Sequence, residues 1–488
     1  MPLLPSLHLL LPEAILSLGA LAVMLAGDRA ARGEGGSAPA GEPTARRRAP
    51  AVWLTAATLV AAAGALALVG GTTGGAFFDL VLLDGTTVVF RWLALGVVAL
   101  VSVMAVHSPD VDESWSGEYL GLLLSAGVGL MLMAEANHLL MAYVALELVS
   151  LSSYLLVSLT RDARSSEAGL KYMLYGACSS GVMLFGMSLL YGFCGELTFS
   201  GIQQAIAWFG PSMATAMTII TVLLLVGLAF KISMVPFHMW TPDVYEGAPI
   251  PVAAMLSVGP KAAGLALLFR LTHVVSPLWS RLEPAMVVLT ILTMTLGNLA
   301  ALTQTNVKRL LAYSTIAQVG YLLIGFSANS PLGLSAILVY LTAYLVMNLG
   351  AFACVVAVCR ETGDESIEAF KGLSRRAPGL AACLALFLLS LAGIPPLAGF
   401  VGKFLLFGSA IEAHRTSLAV AGILNSAVAL YYYVNIIRAM YLAPSTIAQP
   451  KPLITSWPLR LAVGLCGAAT LLLGLFPSPL LAWLGVGQ

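Results

Sequence analysis

Long apolar runs separated by short polar segments fill this chain from end to end. A helix that crosses the hydrocarbon core of a bilayer needs about 20 predominantly apolar residues. By this measure the chain predicts fourteen spans, at 7–26, 51–70, 88–106, 118–134, 138–159, 166–194, 213–245, 250–275, 282–302, 309–327, 331–359, 379–411, 417–442 and 459–485. The expected fold class is therefore an all-α polytopic membrane protein.

Two of the predicted spans, 213–245 and 379–411, are too long to be single straight helices across a membrane. At the helical rise the first would reach roughly 50 Å, against a hydrocarbon core of about 30 Å. Prolines lie near the middle of both, Pro236 in the first and Pro395 and Pro396 in the second, and proline interrupts helical hydrogen bonding. We expect both spans, the seventh and the twelfth, to be broken helices.

The spacing of these breaks indicates an internal repeat. Spans 4–8 and 9–13 are two sets of five that begin at 118 and 282, an offset of 164 residues. Adding this offset to Pro236 gives 400, close to the second proline pair, so the broken helix is the fourth of each set. Because five is odd, the second set enters from the opposite face, as in the inverted repeats of transporters. We expect one membrane domain over 1–488, made of an N-terminal three-helix part (1–117), a first five-helix repeat (118–275), an inverted second repeat (282–442) and a C-terminal helix (443–488).

The composition narrows the possible functions. Hydrophobic residues make up 59% of the chain and charged residues 10%, against about 25% charged in ordinary globular domains. A net charge of +1 gives no reason to expect nucleic acid or another polyanion as a partner. The six cysteines are scattered, without a CxxC or Cys/His cluster, which argues against a metal or iron–sulfur site. Nucleotide-binding fingerprints and a GxSxG motif are also absent from the sequence.

The arginines and lysines of the loops and span ends predict the orientation. If both termini face outside, the inward loops hold sixteen lysines and arginines and the outward side holds four, namely Arg91, Arg270, Arg281 and Arg415. An excess of cations on the inner side is what the positive-inside rule requires. We therefore expect both termini on the outer face, and the Gly-, Pro- and Arg-rich loop 27–50 on the inner face.

The basic residues that remain inside predicted spans are all lysines: Lys171, Lys231, Lys261 and Lys403. An ionisable residue within a membrane helix is a candidate functional residue by default. Arginine stays charged in proteins, whereas a buried lysine can lose its proton, so the residue type itself suggests proton chemistry. The alternative is that these lysines lie near helix ends and extend their ammonium groups to the surface.

Glu147 is the acid that stands alone within a predicted span, whereas Glu13 lies near the start of the first span, where we expect it at the interface. Glu147 and Lys171 lie on consecutive spans joined by the short turn 160–164, and counting from this turn matches their depths to within about 9 Å. We predict a salt bridge between them. The alternative is that Lys171 extends toward the inner surface and Glu147 pairs elsewhere.

Glu147 and the four lysines together predict a proton path. Desolvation pushes buried carboxyl and amino groups toward their neutral forms, and the movement of a neighbouring charge can reverse this. A row of such groups can therefore take up, pass on and release a proton. His238, close to the break at Pro236, could titrate near neutral pH or donate a fixed hydrogen bond to a freed carbonyl. We interpret the polar residues of the tenth span as helix-packing positions: Tyr313, Ser314 and Gln318.

Three segments resemble a known family: KISMVPFHMWTPDVYEGAPIPV, LLAYSTIAQVGYLL and LAGIPPLAGFVGKF. They are similar to the antiporter-like membrane subunits of respiratory complex I, and HMWTPDVYEGAP resembles the subunit N group more than its paralogues L and M. The resemblance covers roughly spans 2 to 13. It implies fourteen spans with inverted five-helix repeats, broken helices 7 and 12, and proton translocation driven by quinone reduction in a distant part of the complex.

The resemblance also implies site residues and partners. By position, Glu147 matches the family's glutamate on helix 5 and Lys171 its partner lysine, while Lys231, Lys261 and Lys403 match the lysines of helices 7, 8 and 12. No cofactor is implied in this chain; quinone, flavin and iron–sulfur clusters belong to partner subunits. The implied partners are other membrane subunits, including neighbouring antiporter-like ones, in a bacterial plasma membrane.

Other functions remain open at this point. The same fold is shared by subunits of multi-subunit cation/proton antiporters and by membrane subunits of hydrogenase-type complexes, and the chain could also be a purely structural scaffold. The VYEGAP segment argues against an antiporter subunit. The loop at 27–50 departs from the family's pattern, and the resemblance supplies no role for it.

Overall fold

The computed structural model describes residues 8–32, 45–112, 115–444, 453 and 455–484, and these ranges are overwhelmingly helical. The helices are α1 Leu11–Arg32, α2 Ala45–Val69, α3 Gly85–His107, α4 Ser116–Glu135, α5 Leu139–Val157, α6 Ala163–Cys194, α7 Phe199–Trp208, α8 Pro211–Ile232, α9 Trp240–Gly247, α10 Ile250–Val274, α11 Trp279–Ala301, α12 Val307–Ala328, α13 Pro331–Thr362, α14 Leu373–Arg376, α15 Pro378–Ala392, α16 Ala398–Glu412, α17 Thr416–Leu442, α18 Trp457–Leu475 and α19 Ser478–Trp483. Short 3-10 turns cover His8–Leu10, Ser276–Leu278 and Ile367–Phe370. An antiparallel hairpin pairs β1 Gly74–Ala76 with β2 Val81–Leu83.

Within the described ranges, thirteen helices are long and apolar enough to cross a membrane. They coincide with thirteen of the predicted spans, and the twelfth span is present as the shorter pair α15 and α16. The all-α polytopic fold class is therefore confirmed.

The seventh span is broken at the predicted proline. α8 ends at Ile232, and Ser233 adopts a left-handed conformation with φ 62°. The Met234 N–H donates back to the Ala229 carbonyl at 2.8 Å, which closes the end of the helix. Helical structure resumes at Trp240 as α9, so residues 233–239 form an irregular segment that is buried up to Val235 and exposed at Pro236 and Met239.

The twelfth span is broken in the same way. α15 is followed by Gly393 with φ 91°, and the Ile394 N–H donates to the Leu389 carbonyl at 3.1 Å. Glycine fits here because left-handed backbone carries no steric cost without a Cβ atom. α16 then begins at Ala398. Non-helical backbone at such depth is tolerated only where protein or a wet cavity covers it, which makes both breaks candidate functional positions.

The junction of α15 and α16 gives a stability prediction. Gly399 N–H donates to Ser390 Oγ at 3.0 Å, and a Cβ atom at Gly399 would overlap the Ser390 carbonyl oxygen. We expect Gly399→Ala to lower the free energy of unfolding by about 1–3 kcal/mol, as overpacking does elsewhere. Gly408→Ala on the same helix is the matched control, since nothing lies within 4 Å of a Cβ there. Thermal unfolding of the two purified variants measures the effect, and equal stability would contradict the prediction.

Equivalent features recur along the chain. α6 and α13 are both 32 residues long, and each ends in a left-handed glycine, Gly195 and Gly363, 168 residues apart. Two isolated antiparallel bridges are also 168 residues apart in the sequence. One pairs His138 with Thr198, and the other pairs Asn306 with Ser366. These features support the repeat expected for 118–275 and 282–442. The division into inverted repeats stays a prediction.

The centre of the bundle consists of α10, α12 and α13, whose side chains are almost entirely covered by neighbouring helices. α10 packs against α3, α4 and α13, and α13 also contacts α15, α16 and α18. By contrast, α1 presents exposed leucines such as Leu18, Leu21 and Leu25 on its outer surface. A polar side chain on the three central helices is cut off from solvent and must find its partners inside the protein.

The sequence patterns did not predict the hairpin or α7, since both are too short to appear as apolar spans. α7 is a ten-residue helix that buries Phe199, Ile202 and Ile206. The predicted loop 27–50 is shorter than expected, because residues 27–32 and 45–50 are helical. Residues 33–44 of that loop lie outside the described ranges.

Candidate functional site

Lys231 lies in the last turn of α8, directly before the first break, and its side chain is fully buried. Its Nζ donates to Ser150 Oγ on α5 at 2.9 Å. Glu147, one turn earlier on α5, interacts electrostatically with Lys231, and Glu147 Oε1 is buried without a hydrogen-bond partner. The end of α8 therefore brings together a buried ammonium group and the lone carboxylate of the fifth span.

Lys171 does not form the predicted salt bridge with Glu147. Its Nζ lies 2.8 Å from Glu167 Oε1 and 3.2 Å from Asp243 Oδ2, and its side chain is 41% exposed. Glu167 is one turn away on α6, and Asp243 extends toward Lys171 from α9. Lys171 therefore lies at an exposed site away from Glu147, because two nearby carboxylates compete successfully for the ammonium group. That this site faces the inner side stays a prediction.

Lys261 occupies the middle of α10 and is fully buried, yet its Nζ makes no hydrogen bond to any residue that the structure describes. Two aromatic rings of α9 take the place of a hydrogen-bond partner: the Nζ lies 4.6 Å from the ring centroid of Trp240 and 5.6 Å from that of Tyr245. Aromatic faces attract cations at this distance. Lys231 and Lys261 also interact with each other as like charges. A proton on one lysine therefore opposes a proton on the other.

His238 lies in the irregular segment between α8 and α9 and is half-buried. Its ring interacts with the backbone of Pro236, while Nδ1 has no hydrogen-bond partner. The contact with Pro236 agrees with a histidine that donates a fixed hydrogen bond. Nδ1, which has no partner among the described residues, agrees with a histidine that titrates. Both interpretations of His238 stay predictions.

Lys403 lies in the first half of α16, just beyond the second break, and is 3% exposed. Its Nζ donates to the carbonyls of Leu391 and Ala392 at 3.0 and 3.1 Å, and to Ser426 Oγ at 3.2 Å. These two carbonyls can accept from Lys403 because α15 ends here, and no following helical turn supplies N–H donors to them. The Nζ also lies 4.2 Å from the ring centroid of Tyr321.

Gln318 connects the second break to the centre of the bundle. Its Nε2 donates to the Leu391 carbonyl at 3.1 Å, so it shares this carbonyl with Lys403. Its Oε1 accepts a hydrogen bond from the Tyr340 hydroxyl. Its place in an apolar helix predicts a packing residue, but Gln318 also hydrogen-bonds the Leu391 carbonyl and Tyr340.

Two further hydrogen-bonded pairs lie along the face of α13 that carries Tyr340. Tyr344 donates its hydroxyl hydrogen to Thr315 Oγ1 at 3.1 Å, and Asn348 donates from Nδ2 to Ser257 Oγ at 2.6 Å. Ser257 is one turn from Lys261 on α10. Polar side chains on α12 and α13 thus extend between the two breaks, from Lys261 to Lys403. A sequence signal was present, because Tyr340, Tyr344 and Asn348 recur every fourth residue in an otherwise apolar helix.

A cluster of ion pairs joins α6, α9 and α12 at the end of the bundle where Lys171 lies. Arg309 Nη1 contacts Asp243 Oδ1 at 2.8 Å and Glu246 Oε2 at 2.7 Å. Glu365, in the loop after α13, accepts from Lys308 at 2.7 Å and from Arg164 at 3.0 Å. Burial disfavours the charged form of Glu365, but these cations outweigh it and hold its pKa below the usual range. The cluster therefore keeps a set of fixed charges beside the exposed end of Lys171.

A helical bundle with two broken spans and a buried row of ionisable and polar side chains defines a membrane transport protein. The family model described as NADH:quinone oxidoreductase/Mrp antiporter, TM, matches residues 136–429, from just before α5 into α17. The chain belongs to this family.

Curated relatives cover nearly the whole chain. NADH-quinone oxidoreductase subunit N of Anaeromyxobacter sp. (strain Fw109-5) is 42% identical over 90% of this chain and 90% of the relative. The protein of the same name from Trichlorobacter lovleyi is 39% identical over 98% of this chain and 96% of the relative.

Solved structures share the fold. A chain of respiratory complex I from Thermus thermophilus superposes with a TM-score of 0.79 at 34% identity, and the match covers 98% of this chain and 100% of that one. A chain of the Mrp complex from Dietzia sp. DQ12-45-1b superposes with a TM-score of 0.83 at 23% identity, over 97% of this chain and 96% of that one, which shows the fold alone.

Proposed function

We propose that this chain is a proton-translocating, non-redox membrane subunit of an NADH–quinone oxidoreductase, driven by quinone reduction elsewhere in the complex. The observation that carries the proposal is the polar row between the two breaks. The row extends from Lys261 to Lys403. Its hydrogen bonds form three groups: Lys403, Gln318 and Tyr340 around the Leu391 carbonyl, Tyr344 with Thr315, and Asn348 with Ser257. Buried polar groups of this kind are maintained at a cost in stability, which favours a function for them.

The proposed path has two parts that meet at Lys261. In the first part, a proton reaches Lys231 from the side of Glu147 and Ser150 and raises the charge beside Lys261. In the second part, it passes through the side chains of α12 and α13 to Lys403. We place Lys171 at the entry, because it is exposed at the ion-pair cluster and lies on the span that follows Glu147. His238 remains a candidate member at the first break.

We further propose that no redox cofactor is bound by this chain. Quinone, flavin and iron–sulfur clusters would belong to partner subunits. Other membrane subunits, including neighbouring antiporter-like ones, and bilayer lipids would cover exposed apolar residues such as Leu155, Phe185 and Leu461. Copurification with redox subunits separates this proposal from a cation/proton antiporter, which would be recovered without them.

Lys261→Met is the direct test of the proposed path. Lys261 has no hydrogen-bond partner, so an apolar side chain of similar length should preserve assembly. We expect assembled complex at the wild-type level and loss of proton pumping in membrane vesicles. Lys371→Met is the control, since Lys371 pairs only with the neighbouring Glu368 at the protein surface. Normal pumping by Lys261→Met would remove Lys261 from the path.

We propose that both termini face outside the plasma membrane and that the 27–50 loop faces inside. The excess of basic residues on the inner side supports this orientation. A cysteine placed at Ser37 should therefore resist an impermeant thiol reagent added to intact cells and react in inverted vesicles. A cysteine-free background is the control for the native thiols. Labelling in intact cells would reverse the proposed orientation.

A further inference from the structure

A second group of buried charges lies apart from the lysine row, at the end of the bundle where α1 and α3 begin and α4 ends. Arg91 is 1% exposed, and Glu13 and Glu135 are 5% and 0% exposed. Arg91 Nε lies 3.0 Å from Glu13 Oε1 and closer still to Glu135 Oε1. Arg91 Nη2 donates to Glu13 Oε2 at 3.2 Å and to the Leu9 carbonyl at 3.0 Å.

The structure adds burial to what the sequence indicated for two of these residues. Glu13, expected at the interface, is buried at the start of α1 and paired with Arg91. Arg91, counted among the outward cations, is buried as well, and its side of the membrane stays a prediction. Glu135 lies one residue beyond the predicted span 118–134, and so it did not stand out as an acid within a span. The three residues come from distant parts of the sequence, and only the fold brings them together.

The charge count of the cluster is unbalanced. Two carboxylates share one guanidinium group, so the fully ionised cluster carries a net charge of −1. Two like charges in one buried site are unfavourable, and an uncompensated buried charge is expensive. A single added proton makes the cluster neutral.

The geometry provides a place for that proton. Glu13 Oε1 and Glu135 Oε1 lie beside the same Arg91 Nε atom, so the two carboxyl groups are direct neighbours. Two ionised carboxylates have no hydrogen to donate, so a hydrogen bond between them requires one to be protonated. Each acid also keeps a buried oxygen that accepts no hydrogen bond from the described residues, Glu13 Oε1 and Glu135 Oε2.

Among the described residues, no second cation is paired with either acid. Arg91 is the cation that acts on both acids. Arg270, on α10, is already paired with Asp84 at 2.8 Å, and its Nε donates to the carbonyl of Ala134 at 2.8 Å. Asp84 is in turn bonded by the first turn of α3. The negative charge of the cluster is therefore left for a proton to neutralise.

We propose that Glu13, Arg91 and Glu135 form a one-proton site, in which the two carboxyl groups share an exchangeable proton. The site lies apart from the lysine row and does not depend on the proposed function.

Infrared difference spectroscopy of the assembled complex tests the shared proton. We expect the wild type to show the carbonyl band of a protonated carboxyl group near neutral pH. Both Glu135→Gln and Glu13→Gln should lose this band, because the remaining carboxylate is then neutralised by Arg91 alone. Glu283→Gln is the control: Glu283 forms a partly exposed ion pair with Arg415, so its loss should leave the band unchanged. A band that persists in both cluster variants would overturn the one-proton site.

Discussion

Lys403→Arg should assemble into the complex and yet translocate protons as poorly as Lys403→Ala. A lysine that hands on protons must be able to deprotonate, and an arginine side chain in a protein cannot. The neutral amine of lysine still has two N–H groups, enough for the bonds to Leu391 and Ala392 at the end of α15. Deprotonation therefore need not release the side chain from the break.

Proton uptake in membrane vesicles, normalised to assembled complex, distinguishes a carrier from a fixed charge. If Lys403 only supplies a positive charge, Lys403→Arg should pump nearly as well as the wild type while Lys403→Ala fails. The site is tightly packed, since a Cβ at Gly393 would lie 2.9 Å from Lys403 Cδ, so some loss of assembled Lys403→Arg is expected. Near-normal pumping by the assembled arginine variant would end the carrier role of Lys403.

Glu147→Ala should reduce proton pumping more strongly than it reduces the amount of assembled complex. Without the carboxylate, Lys231 keeps a hydrogen bond to Ser150 but loses the acid that interacts with its charge. Leaving one member of a buried pair unpaired typically costs about 3–5 kcal/mol, so some loss of assembly should accompany the loss of pumping.

Two further variants separate these effects. Glu167→Ala removes an exposed acid on α6 that pairs with the half-exposed Lys171, and we expect near-normal pumping and assembly. Combining Glu147→Ala with Lys231→Met removes both buried charges, which should restore assembly but not pumping. Normal pumping by the assembled Glu147→Ala complex would exclude Glu147 from the path.

The spans and the two breaks could be predicted from the sequence because they depend on local properties. An apolar run of sufficient length specifies a membrane helix, and the prolines at 236, 395 and 396 mark where the long runs must be interrupted. The burial of Lys261 followed from its position in the middle of an apolar run. Local signals of this kind need no knowledge of the neighbouring helices.

The partners of the buried residues could not be predicted in the same way. A depth count placed Glu147 and Lys171 at similar heights, but it contains no information on which way each side chain faces. Lys171 turns toward Asp243, which is 72 residues away in the sequence. Gln318 meets Tyr340 and the Leu391 carbonyl only because α12, α13 and α15 pack together. Such pairings depend on the tertiary fold.

The short helix α9 has two chemically different sides, and each side contacts a different group of charged residues. Trp240 and Tyr245 lie under the ammonium group of Lys261, whereas Asp243 and Glu246 hold the cations of the ion-pair cluster. Both sets of side chains belong to one helix of eight residues. Any displacement of α9 would therefore alter the aromatic surroundings of Lys261 and the ion pairs of the cluster together.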